Sequence, residues 1–253
     1  PIIGLISIIT VALFIPMNQF KTFFNNYADL VVILYLLTIP ALAIIIGGAS
    51  SGSTYGGIGA SREVVLMLAY ELPLVIILLT VGMKIGRLTN TAATFSLTNI
   101  VNYQLQNGPA FLQLSLIPAA IAFLMIIPCE VGTTPFDIAE AETEICEGPM
   151  VEYGGVSLGI YKLTQGIKIF VMISLFIAMF MSGIIPAVSS NIFINSLVSI
   201  AWHILLMVVI LFIAVSLLRA VTARIRIEQA FKFYWTYPTI LSLLSLVLVW
   251  AGL

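Results

Sequence analysis

The sequence predicts an all-α polytopic membrane protein, and both its composition and its apolar runs support that class. Of the 253 residues, 61% are hydrophobic and only 8% are charged, and the mean hydropathy is +1.16. Soluble globular domains carry about 25% charged residues, so a soluble domain is excluded. Apolar runs of about 20 residues cross the hydrocarbon core of a bilayer, and this chain contains several of them.

Seven apolar runs follow one another along the chain, and each predicts one transmembrane helix. The backbone in lipid must satisfy its hydrogen bonds within a helix or a closed barrel, and the alternating pattern of a barrel strand is absent. Pro40, Pro73 and Pro118 lie in these runs, where kinks are tolerated. The predicted spans are residues 2–16, 28–47, 64–82, 111–128, 156–183, 197–218 and 237–253.

These runs form one transmembrane domain over residues 1–253, in which residues 129–155 form a long acidic loop. The first run is short for a span, and the sequence opens on Pro1 without an initiator Met. We therefore expect a further N-terminal segment. A secretory signal is disfavoured because no charged stretch precedes the first run.

Basic residues in alternate loops predict the orientation of the chain. They sort into a set of five, Arg62, Arg219, Arg224, Arg226 and Lys232, and a set of three, Lys21, Lys84 and Arg87. The positive-inside rule places the larger set in the cytoplasm. The acidic loop falls on the same side, so we expect a multi-pass protein of the cell membrane with this loop facing the cytoplasm.

The acidic loop is the most informative stretch, because it contains seven of the eleven acidic residues of the chain. Thr134 and Pro135 fit the N-cap and first position of a helix, which we expect to end near Gly148. On one such helix, four carboxyls would share a face. The seven acids are Glu130, Asp137, Glu140, Glu142, Glu144, Glu147 and Glu152.

Two interpretations of these acids are open. No Lys or Arg lies between Glu130 and Glu152, so the loop is either a solvated acidic face or an enclosed cluster that handles protons. Acids inside the apolar runs favour the cluster, since an intramembrane carboxyl is costly and by default functional. Glu71 lies within the third span and Glu63 at its start, about two turns apart and roughly on one face. Lys162 and Lys168 are candidate counter-ions or relay members, or lysines that extend to the interface.

Other candidate ligands predict no site. Cys129 and Cys146 form no CxxC pair, so neither a disulfide framework nor an iron–sulfur or zinc site is indicated. His203 lies alone in a span, where packing is the simpler role. We expect no catalytic residue, metal or cofactor in this chain.

The stretch from Thr134 to Gly155 closely resembles the signature loop of the subunit 1 family of respiratory complex I. Similarity extends to the segments 59–71 and 224–235, and thus over nearly the whole chain. The resemblance implies eight transmembrane helices, of which this chain would contain the last seven, and a subunit that joins a redox arm to the membrane arm. The family acids matching here are Glu71, Glu130, Asp137, Glu140, Glu142, Glu144 and Glu152, with Arg62 as the matching arginine.

The sequence departs from the quinone-reducing branch at several positions, and these departures favour another branch of that family. Thr133 stands where that branch usually has an arginine beside the quinone path. Glu147 and the segments 51–56 and 140–149 instead look like the branch of energy-converting membrane-bound [NiFe] hydrogenases. That resemblance implies partners that hold the [NiFe] centre and iron–sulfur clusters, antiporter-like membrane subunits, coupling of ferredoxin-driven redox chemistry to H⁺ or Na⁺ movement, and no bound quinone or nucleic acid.

Three alternatives remain from the sequence. The same membrane module occurs in a sulfane-sulfur reductase, and the true quinone-site subunit of a complex I type enzyme shares the family loop. A stand-alone secondary transporter with an acidic binding site is a different class, but no inverted repeat with matching broken helices is present.

Overall fold

In a computed structural model of the chain, residues 1–16, 29–89, 93–184 and 192–252 are described, without the side chains of 142 and 192–196. These ranges are almost entirely helical, and their only bridge between extended residues joins Asp29 and Ser96. The α-helices are α1 Ile2–Phe14, α2 Leu30–Ser50, α3 Thr54–Leu88, α4 Leu97–Asn107, α5 Ile117–Val131, α6 Glu142–Ile145, α7 Gly155–Phe176, α8 Ile192–Leu211, α9 Leu218–Val221 and α10 Ile227–Trp250.

The predicted all-α membrane fold is confirmed. Among the described residues, five helical segments are long and apolar enough to cross a membrane: Leu30–Ser50, Thr54–Leu88, Gly155–Met181, Leu197–Val221 and Ile227–Trp250. The other two predicted spans correspond to the shorter apolar helices α1 and α5. At 1.5 Å per residue α5 is about 22 Å long, whereas α3 is about 52 Å and extends well beyond a bilayer core.

Helix α3 is the centre of the bundle and packs against α2, α5 and α10. Its buried residues recur every three or four positions, which is the spacing of a single helix face. Helix α1 packs against α2 and α7 at one side of this centre. The buried face of α3 consists of Leu66, Ala69, Tyr70, Pro73, Leu74, Ile77, Leu78, Val81 and Ile85.

Gln104 of α4 satisfies the irregular end of the α7 segment. This segment continues as a π-helical turn, Ile177–Met181, whose carbonyl groups lie in an apolar interior. The fully buried Gln104 amide donates to the carbonyl oxygens of Ala178, at 3.0 Å, and Met179, at 2.8 Å. Its side-chain oxygen accepts from the Ser182 N–H at 3.1 Å. Buried backbone groups therefore keep partners where the helix departs from regular geometry.

The acidic loop has helical turns, but the predicted continuous helix from Pro135 to Gly148 is wrong. The loop forms a 3₁₀ turn over Ile138–Glu140, the single turn α6, and a 3₁₀ turn over Gly148–Met150. Ala141 is extended, which ends the first turn. Cys146 and Glu147 adopt positive φ values of 49° and 70°, which end α6. Positive φ is strained for residues with a side chain, and only surrounding packing holds it there.

That packing is supplied by a notch of glycines between α2 and α3. The 3₁₀ turn Gly148–Met150 enters the notch, where Pro149 lies against Gly48 and Gly59. A Cβ atom on Gly59 would lie 2.4 Å from Pro149 Cδ and 2.8 Å from its backbone nitrogen. The Tyr153 hydroxyl donates to the Gly47 carbonyl oxygen at 3.0 Å. The loop is thus anchored to the bundle rather than suspended in solvent.

Candidate functional site

A buried ion pair lies where α5 meets α7. The Lys168 ammonium is 2.8 Å from Glu130 Oε1, and their side chains are only 6% and 2% exposed. Charges removed from water require a partner, and each of these residues supplies the charge that the other needs. Of the roles that the sequence left open for Lys168, this contact fits a counter-ion and not a lysine that extends to the interface.

A small space, here called the inner cavity, adjoins this ion pair. Its volume is about 20 Å³, and it is lined by Glu63 of α3, by Glu130, Asp137, Glu140 and Lys168, and by Pro40, Ile44, Val131, Gly132, Phe136, Ala139, Thr164 and Gln165. Such a space is large enough for one water molecule. The second oxygen of Glu130, Oε2, is buried without a hydrogen-bond partner. The inner cavity is therefore lined by ionisable side chains, and one of their oxygens, Glu130 Oε2, can still accept a hydrogen bond.

Glu140 lies at the boundary between the loop and the bundle. Gln165 Nε2 donates to Glu140 Oε1, and the Lys162 ammonium lies 3.4 Å from Oε2. Burial raises the pKa of Glu140, and the Lys162 charge and the two hydrogen bonds only partly offset this, while the charge of Asp137 adds to the rise. The carboxyl therefore takes up a proton more readily than a solvated glutamate does.

Two arginines from other parts of the chain bind the remaining inner face of the loop. Arg224 donates to both oxygens of Asp137, at 2.9 and 2.6 Å, and to Thr143 Oγ1 at 2.8 Å. Arg62 donates to Glu144 Oε2 at 2.7 Å. A planar guanidinium suits a bidentate carboxylate contact. The carboxylates thus do not share one face of a continuous helix, and Asp137, Glu140 and Glu144 each meet a cation from another part of the fold.

A larger open space, here called the outer cavity, lies on the loop side of the inner cavity. Its volume is about 360 Å³, and Gly132, Asp137, Glu140 and Gln165 line both spaces. Its other lining residues are Thr133, Thr134, Glu147, Lys162, Arg219 and Arg224. The Glu140–Gln165 contact therefore lies between an open polar cavity and the buried ion pair.

Glu63 lines the inner cavity, whereas Glu71 is not among its lining residues, so the two acids share a helix face only roughly. Eight residues correspond to an offset of about 80° around a helix, whereas seven correspond to about 20°. Tyr70 is therefore the residue of this turn that lies beside Glu130 and Glu63. Its buried hydroxyl has no hydrogen-bond partner of normal geometry. Glu71 is half-buried and within electrostatic range of Glu130.

The other candidate acids lie outside this core. Glu152 is exposed, Glu147 is half-buried at the outer cavity, and the side chain of Glu142 is outside the described residues. His203 is 2% exposed in α8, and neither of its ring nitrogens is hydrogen-bonded within the described ranges. Cys129 is buried and Cys146 is exposed.

The residues Glu63, Glu130, Asp137, Glu140 and Lys168 are here called the cluster. Two polar residues next to it, Gln165 and Tyr70, were missed by the sequence analysis. Gln165 lies between Lys162 and Lys168 at a spacing of three, which places the three residues along one side of α7. Tyr70 lies seven residues after Glu63, on nearly the same side of α3. Both positions could have been found by extending the helix-face argument from charged residues to all polar side chains.

The helices and the cluster together define a class, that of multi-pass membrane proteins with an ionisable cluster at one end of the bundle. The family pattern described as NADH dehydrogenase matches residues 1–250. The chain therefore belongs to the NADH dehydrogenase family, which confirms the resemblance to the subunit 1 family of complex I drawn from the acidic loop.

Individual relatives come from several kinds of complex. The chain is 33% identical over 224 residues to an NADH-quinone oxidoreductase subunit from Rhizobium rhizogenes, a match that covers 86% of this chain and 64% of that one. It is 33% identical over 175 residues to the Hydrogenase-4 component C of Escherichia coli, covering 69% and 53%. The chain thus spans roughly half to two thirds of the length of these two curated relatives.

A solved structure with the same fold is that of the membrane-bound sulfane sulfur reductase, an archaeal respiratory membrane complex. The TM-score is 0.87 at 33% identity, and the match covers 98% of this chain and 77% of that chain. The relatives named here are thus parts of membrane oxidoreductases or hydrogenases.

Proposed function

We propose that this chain is the membrane anchor and ion-coupling subunit of a multisubunit, hydrogenase-like energy-converting complex. In this proposal, peripheral partners carry out ferredoxin-driven redox chemistry, and the chain links that chemistry to H⁺ or Na⁺ movement. The observation that carries the proposal is the Lys168–Glu130 pair, 2.8 Å apart and almost fully buried. A buried ion pair adds little to stability when compared with apolar packing, so its presence favours a functional role.

The order of the charged groups supports a coupling route. Glu140 lies between the outer and inner cavities, Glu63 and Glu130 line the inner cavity, and Glu71 lies farther along α3. We propose that a redox event in a partner above the loop alters the Asp137, Glu140 and Glu144 contacts. The change would pass through Glu130 to Glu71, from which antiporter-like membrane partners would receive it.

The proposed assembly places the acidic loop on the cytoplasmic face of the cell membrane. Arg62 and Arg224 belong to the larger basic set, and both contact the loop, which supports the sorting of loops used in the positive-inside argument. A hydrogenase-like subunit would hold the [NiFe] centre, and other peripheral partners the iron–sulfur clusters. The chain itself would hold none of these groups.

A sulfane-sulfur reductase is the second candidate assembly. It is favoured by the structural match that covers 98% of this chain, and it would use the same membrane module with a different terminal acceptor. We propose that neither assembly binds quinone at this chain. Thr133, which lines the outer cavity, stands at the sequence position where the quinone branch has an arginine. Quinone-dependent turnover of the purified complex, blocked by inhibitors of a quinone tunnel, would refute this part of the proposal.

Glu71→Gln tests the coupling role, because it preserves shape and hydrogen bonding but removes the titratable charge. We expect an assembled complex in which redox turnover is stalled or no longer drives ion movement. The measurement is the ratio of ions pumped to electrons transferred in sealed vesicles. Glu228→Gln, an exposed acid of α10 outside the cluster, is the matched control. An unchanged ratio at an unchanged rate in Glu71→Gln would leave Glu71 as a packing residue.

A further inference from the structure

The inner cavity bears on which ion the cluster handles, since a metal cation and a proton place different demands on a site. A hard cation is held by several oxygen ligands at once. A proton needs only a carboxylate oxygen or a water molecule. The available ligands can therefore be counted from the contacts that each side chain already makes.

Most carboxylate oxygens of the cluster are already engaged. Both oxygens of Asp137 accept from Arg224, and those of Glu140 accept from Gln165 and Lys162. The Thr164 hydroxyl donates to the Ile160 carbonyl oxygen at 2.7 Å. Within the described part of the chain, this leaves Glu63 and a single oxygen of Glu130 as carboxylate ligands at the inner cavity. Two side chains are a poor ligand set for a hard cation.

The place beside Glu130 that a bound metal cation would take is also occupied by a side chain. The Lys168 ammonium lies 2.8 Å from Glu130 Oε1 with both side chains buried. A sodium ion in a space of about 20 Å³ would lie next to this fixed positive charge, and like charges repel strongly where water is excluded. Glu130 Oε2, buried and without a partner, remains able to accept a hydrogen bond.

We propose that Lys168 is the resident cation of the cluster, so that the inner cavity takes a water molecule and passes protons but does not bind Na⁺. This inference rests on the proposed coupling function and selects the ion for this cluster. The water would donate to Glu130 Oε2, which has no hydrogen-bond partner of normal geometry. A proton released when the O–H bond of protonated Glu140 breaks is relayed by the water and forms a new O–H bond on the Glu130 carboxylate. Lys168 keeps its charge throughout.

The test uses dicyclohexylcarbodiimide, which modifies protonated carboxyls, on the purified whole complex. Modification of Glu63, Glu130 and Glu140 is quantified by mass spectrometry of peptides in Na⁺ and in K⁺ buffers of equal ionic strength. Because the readout is assigned to residues of this chain, Na⁺ binding by partner subunits does not interfere. We expect labelling in the parent that is the same in Na⁺ and in K⁺.

Two variants identify the cause of the selectivity. Lys168→Gln removes the resident cation, and we expect Na⁺ then to reduce the labelling several-fold. Lys168→Arg retains a cation, and its labelling should stay insensitive to Na⁺. If Lys168→Gln does not assemble, the parent and Lys168→Arg still decide whether the cluster excludes Na⁺.

Three results would overturn the inference. Protection of the parent by Na⁺ would show that the cluster binds the metal ion. An absence of labelling in both buffers across the pH range would show that these carboxyls do not take up protons. If Lys168→Gln assembles and its labelling is the same in Na⁺ and in K⁺, Lys168 is not the cause of the exclusion of Na⁺. Failure of the proposed function is distinguishable, because it is read from the pumping ratio of Glu71→Gln and not from labelling.

Discussion

Four carboxylates of the loop, those of Glu130, Asp137, Glu140 and Glu144, meet cations from distant parts of the sequence. Arg62 is separated from Glu144 by 82 residues, and Arg224 from Asp137 by 87. A guanidinium can hold two oxygens in one plane, which fixes direction as well as charge. These four loop acids are therefore neither a freely solvated face nor an unneutralised cluster, since each has a specific cationic partner.

Glu140 is expected to make stability depend on pH. Burial raises its pKa above the ordinary value of 4.5, so the folded chain binds this proton more tightly than the unfolded chain does. The stabilisation is complete below about pH 4.5 and is lost as pH rises through the higher folded pKa. As pH increases through this range, we expect the thermal unfolding midpoint of Glu140→Gln to fall less than that of the parent.

The measurement is the unfolding midpoint of the detergent-solubilised complex at a series of pH values. Glu228→Gln serves as the control, because this exposed acid lies outside the cluster and its variant should keep the slope of the parent. Equal slopes for Glu140→Gln and the parent would mean that Glu140 does not contribute this dependence.

At the scale of elements, the glycine notch decides where the acidic loop lies. Gly48 and Gly59 leave room for Pro149 between α2 and α3. Small residues allow close approach of backbones in membrane helices, where apolar burial alone does not hold helices together. Without this notch the 3₁₀ turn Gly148–Met150 would have to move outward, and the carboxylates before it would lose their alignment with α7.

Gly59→Ala is expected to displace the loop, because the new Cβ would lie within 3.0 Å of backbone atoms of Gly148 and Pro149. Overpacking of this kind costs about 1–3 kcal/mol. Gly57→Ala is a matched control two residues away on α3, since nothing lies within 4 Å of its added Cβ. A helical Gly→Ala change by itself is mildly stabilising.

Thermal unfolding and limited proteolysis of the loop would separate the two variants. We expect Gly59→Ala to lower the midpoint and speed cleavage within residues 132–154, and Gly57→Ala to do neither. The same behaviour in both variants would show that the close contact at Pro149 does not hold the loop.

For the whole molecule, the contacts place the acidic loop at one end of the bundle with Arg62 and Arg224, two arginines of the larger basic set. Arg87, from the smaller basic set, donates instead to the carbonyl oxygens of Val249 and Trp250 at the C-terminal end of α10. The negative end of that helix dipole suits a cation. Arg87 thus lies at the opposite end of α3 from Arg62, as the loop-sorting argument requires for these two residues.

The cytoplasmic assignment predicts the labelling of Cys146. This thiol is exposed on the loop, whereas Cys129 is buried. A membrane-impermeant maleimide should modify Cys146 in inside-out vesicles and not in intact cells. A Leu88→Cys, Cys146→Ser variant moves the thiol to the exposed opposite end of α3 and should reverse the pattern. Labelling of Cys146 from outside intact cells would invert the proposed orientation.

The sequence alone determined the membrane class, the approximate place of each span and the acidic loop as the centre of interest. These features follow from local hydrophobicity and composition, which need no knowledge of neighbours. The boundaries were less accurate: α10 begins at Ile227 rather than near 237, because its first turns carry polar residues that lie beyond the apolar run.

Only the tertiary structure decided which cation meets which carboxylate, and that the loop divides into separate turns. Asp137 with Arg224 and Glu130 with Lys168 are pairings across the fold, and local spacing contains no information about them. The loop conformation depends on Pro149 entering the glycine notch, a contact that overrides the helical preference of residues 135–148. Local propensity is a fraction of a kcal/mol per residue, whereas a steric misfit between packed segments costs about 1–3 kcal/mol.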